Sequence, residues 1–195
     1  MPNLDLHPAA DRMARLLEAV PDDALDAATP CPDFRLGDLI DHIGGFARVF
    51  TASATKELGD LTAQPPDPRA ANLEPGWRST IAGDLTALAG AWQAPDAWEG
   101  MTQAAGVDLP GAVAGRIVLD ELVVHSWDIA RVTGQPFACD DESLREIEGT
   151  VRQVRDGNEG EVPGLFGPVV PVADDAPLLD KVLGLTGRDP GWSPA

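Results

Sequence analysis

Apolar side chains recur every three or four positions along most of this chain, and this spacing predicts amphipathic helices. The predicted helices cover about 7–20, 36–57, 77–93, 111–133 and 140–156, with a short one at about 177–186. In the second of them the apolar side chains fall within an arc of about 100°, which is typical of a core-facing stripe. Alternating apolar and polar positions are almost absent, so the pattern predicts an all-α protein.

Segments rich in proline and glycine separate the predicted helices. Residues 59–75 are predicted to form a loop, and so are residues 94–110, with a short hairpin around Trp98 and Val107. The simplest architecture is an up-down bundle of four main helices with long connections. We expect one domain overall: a helical bundle at 1–156, and a C-terminal extension at 157–195, extended at first, that packs on the bundle.

Composition and charge narrow the class of protein. The chain has 195 residues, 44% of them hydrophobic, and a formal net charge of −18. Such an acidic surface repels phosphate groups, which argues against nucleic acids and anionic membranes as partners. The sequence contains two cysteines and no apolar stretch long enough to span a membrane. Its first residues do not form a basic region followed by an apolar run, as a signal peptide would. We therefore expect a cytoplasmic protein, either a monomer or a homodimer.

The fourth predicted helix carries polar residues in the middle of its apolar stripe. Glu121 and His125 are four positions apart, so they lie one turn apart on one face, and Asp128 lies on the same face. Burying a carboxylate and an imidazole is costly unless they pair with each other or bind a metal. The alternative is an ordinary Glu–His pair at the rim of the bundle.

A third ligand is available from the second predicted helix. His42 lies on the flank of its apolar stripe, from which it can reach across the bundle toward Glu121 and His125. Three ligands of the His, Glu and His type leave positions open on a zinc ion, as in catalytic sites. Asp38 is interpreted as a partner of the helix dipole. Asp128 is expected to contact a ligand histidine or the substrate.

Five further residues have a chemical and a structural interpretation. Cys31 is expected to be a small buried hydrophobe, and a catalytic thiol only if its pKa is lowered. We expect Cys139, in a loop, to have no role in the site and His7 to be exposed to solvent. Trp127 is expected to pack against other side chains. Arg188 either binds a carboxylate or forms an ion pair at a helix end.

Three segments resemble the DinB-like superfamily, within it the actinobacterial branch related to mycothiol-dependent maleylpyruvate isomerase. They are Thr29–Phe34, Asp38–His42 and Asp120–Asp128, and the ending from Phe166 to Trp192 resembles one subfamily of that branch. The resemblance covers nearly the whole chain. It implies a four-helix bundle and a divalent metal, commonly zinc or nickel, held by His42, Glu121 and His125.

Three functions remain open at this point. The first is an enzyme, a transferase or isomerase, in which a metal-bound small-molecule thiol attacks a small electrophile. The resemblance implies mycothiol as that thiol. The second is a non-catalytic module that binds a ligand at its metal or acts in a stress response. The third is a bundle that has lost its metal and acts only by interaction.

Overall fold

The structure, a computed structural model, describes residues 4–158 and 165–194 and confirms the all-α fold. Its helices are α1 (His7–Glu18), α2 (Leu36–Thr55), α3 (Asp60–Ala63), α4 (Trp77–Ala91), α5 (Gly111–Thr133), α6 (Asp141–Asp156) and α7 (Leu178–Leu185). Strands β1 (Met101–Ala104) and β2 (Val107–Pro110) pair antiparallel as a hairpin. Apart from the short α3, each helix begins and ends within about two residues of its predicted bounds.

Four helices enclose the main core. Around that core α1 packs on α4, α4 on α2, α2 on α5, and α5 on α1. The side chains they bury are large and apolar, among them Met13, Leu17, Leu39, Ile43, Leu85 and Leu122. None of the helices in the described residues is long and apolar enough to cross a membrane.

The predicted loop at 59–75 is only partly correct, because its first residues form α3. The Thr62 hydroxyl lies 3.1 Å from the backbone nitrogen of Gly59, and this contact stabilises the start of a single helical turn. The rest of the loop is fixed to α2, where Asp41 accepts hydrogen bonds from the Arg69 backbone and the Asn72 side chain. The loop is therefore held beside the helix that carries His42.

The predicted hairpin is present, although it is offset from the expected position. Val107 begins β2, whereas Trp98 lies in a 3-10 turn that precedes β1. The turn between the strands uses Ala105 at φ 49° and Gly106 at φ 81°. This pair of positive angles suits the tight turn of a two-residue hairpin.

The C-terminal segment packs against α5 and α6. Phe166, Val182 and Leu183 belong to the hydrophobic core, and the Arg155 guanidinium donates to the carbonyl oxygens of Gly167 and Leu185 at 2.6 and 2.9 Å. The predicted extended stretch is free of helix and strand at 165–177, while residues 159–164 lie outside the described residues. The domain boundary after residue 156 stays a prediction.

We expect Gly115→Ala to lower the free energy of unfolding by about 1–3 kcal/mol, because a methyl group there overpacks the interior. A Cβ atom at Gly115 would lie 2.5 Å from the Trp98 ring and 2.9 Å from the Trp92 ring. Gly149→Ala is the matched control, since a Cβ atom there meets nothing within 4 Å. It should stabilise α6 by up to about 1 kcal/mol. Urea denaturation of both variants measures the difference, and equal effects would contradict this packing.

Candidate metal centre

Helix α5 carries charged groups into the bundle because it is covered on most sides. It packs against α1, α2, α6 and the hairpin, so even its polar side chains have little access to solvent. Asp120, His125 and Asp128 are buried, and only 12% of the Glu121 side chain is exposed to solvent. Each of these charged groups therefore needs a partner inside the protein.

The structure brings His42, Glu121 and His125 together. One oxygen of Glu121, Oε2, lies 3.1 Å from Nε2 of His42 and 3.1 Å from Nε2 of His125. The three potential ligand atoms all lie within 4.8 Å of one another. His42 comes from α2 and the other two residues come from successive turns of α5, so the packing of these two helices forms the cluster.

The second nitrogen of the His125 ring is held by a carboxylate. Nδ1 of His125 lies 2.9 Å from Oδ2 of Asp128, whose side chain is fully buried. Arg188 donates to the same carboxylate, with Nη2 3.1 Å from Oδ2 and Nε 3.4 Å from Oδ1. Arg188 thus forms an ion pair inside the protein, as in the structural interpretation, although its partner is not at a helix end. Its partner is buried deep in the protein and lies 60 residues earlier in the chain.

Contacts among these groups set their protonation states. Burial alone would lower the pKa of His125, but the hydrogen bonds to Asp128 and Glu121 outweigh it and raise the pKa to about 9. Burial alone would raise the pKa of Glu121, but hydrogen bonds from His125 and His42 hold it well below its usual range. Without a metal, the cluster is therefore a carboxylate beside an imidazolium at neutral pH.

The donor atoms of the cluster fit a divalent cation. Asp128 accepts the Nδ1–H of His125, so in the neutral ring Nε2 carries a lone pair that faces the Glu121 carboxylate. Two lone pairs this close repel each other unless a proton or a cation lies between them. A divalent metal satisfies both atoms and His42 as well, and imidazole with carboxylate is a common donor set for zinc.

Asp120 is a buried carboxyl group that the sequence analysis missed. Its Oδ1 atom has no hydrogen-bond partner in the part of the chain that the structure describes. Burial, followed by the nearby charge of Glu121, raises its pKa to about 7. Its position next to Glu121 gives no sequence signal of burial, because adjacent helix positions lie about 100° apart.

A cavity of about 690 Å³ opens beside the cluster. His42 and Glu121 face it, and Phe34 stacks on the His42 ring with the two ring centres 5.3 Å apart. The loop at 59–75, the hairpin region and the C-terminal segment all contribute to its wall. His125 and Asp128 are not among its described lining residues, so they lie behind the two groups that are open to the cavity.

Neither cysteine has the features of a catalytic thiol. Cys31 is buried, and burial raises its pKa to about 11 although the charge of Arg188 acts in the opposite direction. Cys139 is half-buried, and burial raises its pKa as well. Thiols that stay protonated at neutral pH are poor nucleophiles and poor metal ligands.

The remaining candidates lie away from the cluster or support it indirectly. His7 is partly exposed and contacts Asp5 at 2.9 Å. Trp127 is buried in the core, which agrees with a packing role. Asp38 accepts hydrogen bonds from backbone N–H groups at the start of α2 and in the loop at 59–75. It therefore fixes the backbone near His42.

Comparisons with known proteins agree with this architecture. The sequence model of the family described as the mycothiol maleylpyruvate isomerase N-terminal domain matches residues 6–130. An uncharacterized protein of Mycobacterium tuberculosis, found in strains CDC 1551 and H37Rv, is 30% identical over 190 residues. That match covers 92% of this chain and 93% of the relative.

Solved structures show the same fold. The crystal structure of the mycothiol-dependent maleylpyruvate isomerase superimposes with a TM-score of 0.67 at 19% identity, and a histidine-to-alanine mutant of it does so with 0.68 at 18%. Each superposition covers 93% of this chain and 85% of the solved chain. The resemblance seen in the sequence is thereby confirmed, and the chain belongs to the mycothiol maleylpyruvate isomerase N-terminal domain family.

Proposed function

We propose that this protein binds one divalent metal, zinc or nickel, through His42, Glu121 and His125, and that it uses a small-molecule thiol to transform a small electrophile. The observation that carries the proposal is the meeting of two imidazole nitrogens at one buried carboxylate oxygen, 3.1 Å from each. The family to which the chain belongs is named after a mycothiol-dependent isomerase, and this supports mycothiol as the thiol. A cytoplasmic location fits a reaction that needs a reduced thiol.

The protein's own residues prepare the site for this chemistry. Asp128 holds the Nδ1–H of His125 and thereby directs the Nε2 lone pair toward Glu121 and His42. Burial alone would lower the pKa of Arg188, but the Asp128 carboxylate raises it above its ordinary value. Arg188 therefore stays charged beside Asp128, and Asp128 acts on the reaction by positioning His125.

A bound metal would supply a Lewis-acid position at which a thiol loses its proton at neutral pH. His42 and Glu121 face the cavity, so a thiol and an electrophile that enter it reach the cluster from that side. The apolar wall excludes water and so protects a nucleophilic sulfur from solvation. Transfer consumes the thiol and isomerisation returns it, so the thiol balance of the reaction distinguishes the two.

We expect about one divalent metal per chain in protein purified without an affinity tag. His125→Ala, which removes a buried ligand, should abolish stoichiometric binding because zinc is then left with two protein ligands. His7→Ala is the matched control, since His7 contacts Asp5 rather than the cluster. Elemental analysis of both variants tests the assignment, and equal metal contents would refute it.

Metal binding should release a proton at about pH 8. The His125 pKa of about 9 lies above this pH, so the metal must displace the proton. Affinity should therefore fall about tenfold for each pH unit below about 9. Calorimetric titration with zinc in buffers of different ionisation enthalpy counts the protons. The count should fall as the pH rises toward the His125 pKa of about 9, and a pH-independent count between about pH 6.5 and 8.5 would contradict the role of His125.

The cobalt-loaded protein should bind thiols directly. Mycothiol, or a simple uncharged thiol such as 2-mercaptoethanol as a substitute, should produce a thiolate-to-cobalt absorption band in the near ultraviolet and should support turnover of 1-chloro-2,4-dinitrobenzene. Cys31→Ser should show the same band, because the buried Cys31 does not supply the sulfur. If the cobalt spectrum stays unchanged with every thiol, the result contradicts the proposed thiol reaction and favours the non-catalytic metal-binding module.

A further inference from the structure

Apart from His42 and Glu121 of the cluster, the described wall of the cavity is mostly apolar and carries no charged side chain. Among the described residues that line it, none is lysine or arginine, and the polar side chains are those of His42, Glu121, Gln153 and Asn158. The rest of the lining is aliphatic, aromatic, proline or glycine. Besides His42 and Glu121, the wall therefore offers two amide groups as its only polar side chains within the described part of the chain.

Two arginines next to lining residues in the sequence, and Arg188 behind the cluster, have acidic partners of their own. Arg116 pairs with Glu146, and Arg152 pairs with Glu148 at 2.8 Å. Arg188 is held by Asp128 behind the cluster. No basic side chain is thus available to neutralise an anionic ligand among the residues that line this cavity in the described structure.

We propose that this cavity admits an uncharged, apolar electrophile of aromatic size and excludes molecules with carboxylate groups. This inference rests on the proposed function, because it names the class of its second substrate. Burying a carboxylate in an apolar wall costs several kcal/mol unless a cation or hydrogen-bond donors replace the lost water. The net charge of −18 adds repulsion to that cost.

A metal together with its bound thiolate would not change this charge balance. A divalent cation together with the Glu121 carboxylate and one thiolate sums to zero, so the loaded cluster has no excess positive charge for an acid. Maleylpyruvate, for which the solved relatives are named, carries carboxylate groups. The wall of this cavity therefore separates the chain from such a substrate even though the fold is shared.

Aromatic rings in the wall favour a flat ligand. Phe34, Phe46 and Phe50 all line the cavity, and Phe46 meets Phe50 edge to face at 6.4 Å between ring centres. Such rings bind planar apolar molecules by stacking. The volume of about 690 Å³ is within the range of small-molecule sites. A substituted aromatic electrophile is thus a suitable probe.

A matched pair of unreactive ligands tests the proposal by calorimetry. 1,3-Dinitrobenzene and 3,5-dinitrobenzoate share their ring and nitro groups and differ only in one carboxylate. We expect the neutral ligand to bind at least about tenfold more tightly to the wild-type protein after its metal has been removed with a chelator, since the carboxylate then loses its hydration without gaining a partner. Equal affinity, tighter binding of the benzoate, or no binding of either ligand at millimolar concentration would overturn the proposal.

Two charge variants test whether the wall itself sets this preference. Gln153 lines the cavity and is exposed at its edge, so Gln153→Arg adds a cation there without entering the core. It should improve benzoate binding by at least about fivefold. Gln93→Arg adds the same charge away from the cavity and should leave both affinities unchanged. Equal effects of the two variants would mean that net charge decides the preference, which contradicts the proposal.

The binding preference is separable from the proposed metal and thiol chemistry. His125 is not among the lining residues, so the His125→Ala variant should keep the preference for dinitrobenzene although it has lost its metal. A preserved preference with no thiol-dependent turnover would leave the cavity proposal standing and remove the proposed reaction. A preference that disappears in this variant would instead show that the cluster selects the ligand, which overturns the role of the wall.

Discussion

The carboxylate of Glu121, enclosed between two helices, is the constraint on which this site depends. One of its oxygens lies 3.1 Å from an imidazole nitrogen of His42 and equally far from one of His125. A charge in an apolar core requires compensation, and here the partners on either side supply it. Asp128 fixes the His125 ring from behind, and Arg188 balances the charge of Asp128. The cluster is therefore one connected system rather than a set of independent side chains.

This connection links three distant parts of the chain. His42 comes from α2, Glu121 from α5 and Arg188 from the C-terminal segment, so the site forms only when all three have packed. Removal of one member of a buried ion pair typically costs about 3–5 kcal/mol, because the other charge is left uncompensated. The C-terminal segment thus does more than cover the bundle. It supplies the guanidinium that pairs with the Asp128 carboxylate beneath His125.

Helical periodicity predicted the helices and the inward face of Glu121 and His125, because both properties depend on local spacing. The reach of His42 across the bundle followed from its flank position and from the family resemblance. The Asp128–Arg188 pair joins positions 60 residues apart, and the spacing of apolar residues within a helix carries no information about so distant a contact. The single turn of α3 and the wall of the cavity depend on tertiary contacts between several elements. Sequence spacing therefore predicts which residues share a face but not which faces meet.

Anomalous diffraction at the zinc edge tests the central claim most directly, since it locates a metal without reference to activity. Crystals of tag-free protein should show one anomalous peak per chain, about 2.0–2.2 Å from Nε2 of His42, Nε2 of His125 and a carboxylate oxygen of Glu121. A peak elsewhere, or no peak after the crystals are soaked in zinc at a pH above the His125 pKa of about 9, would contradict the metal centre.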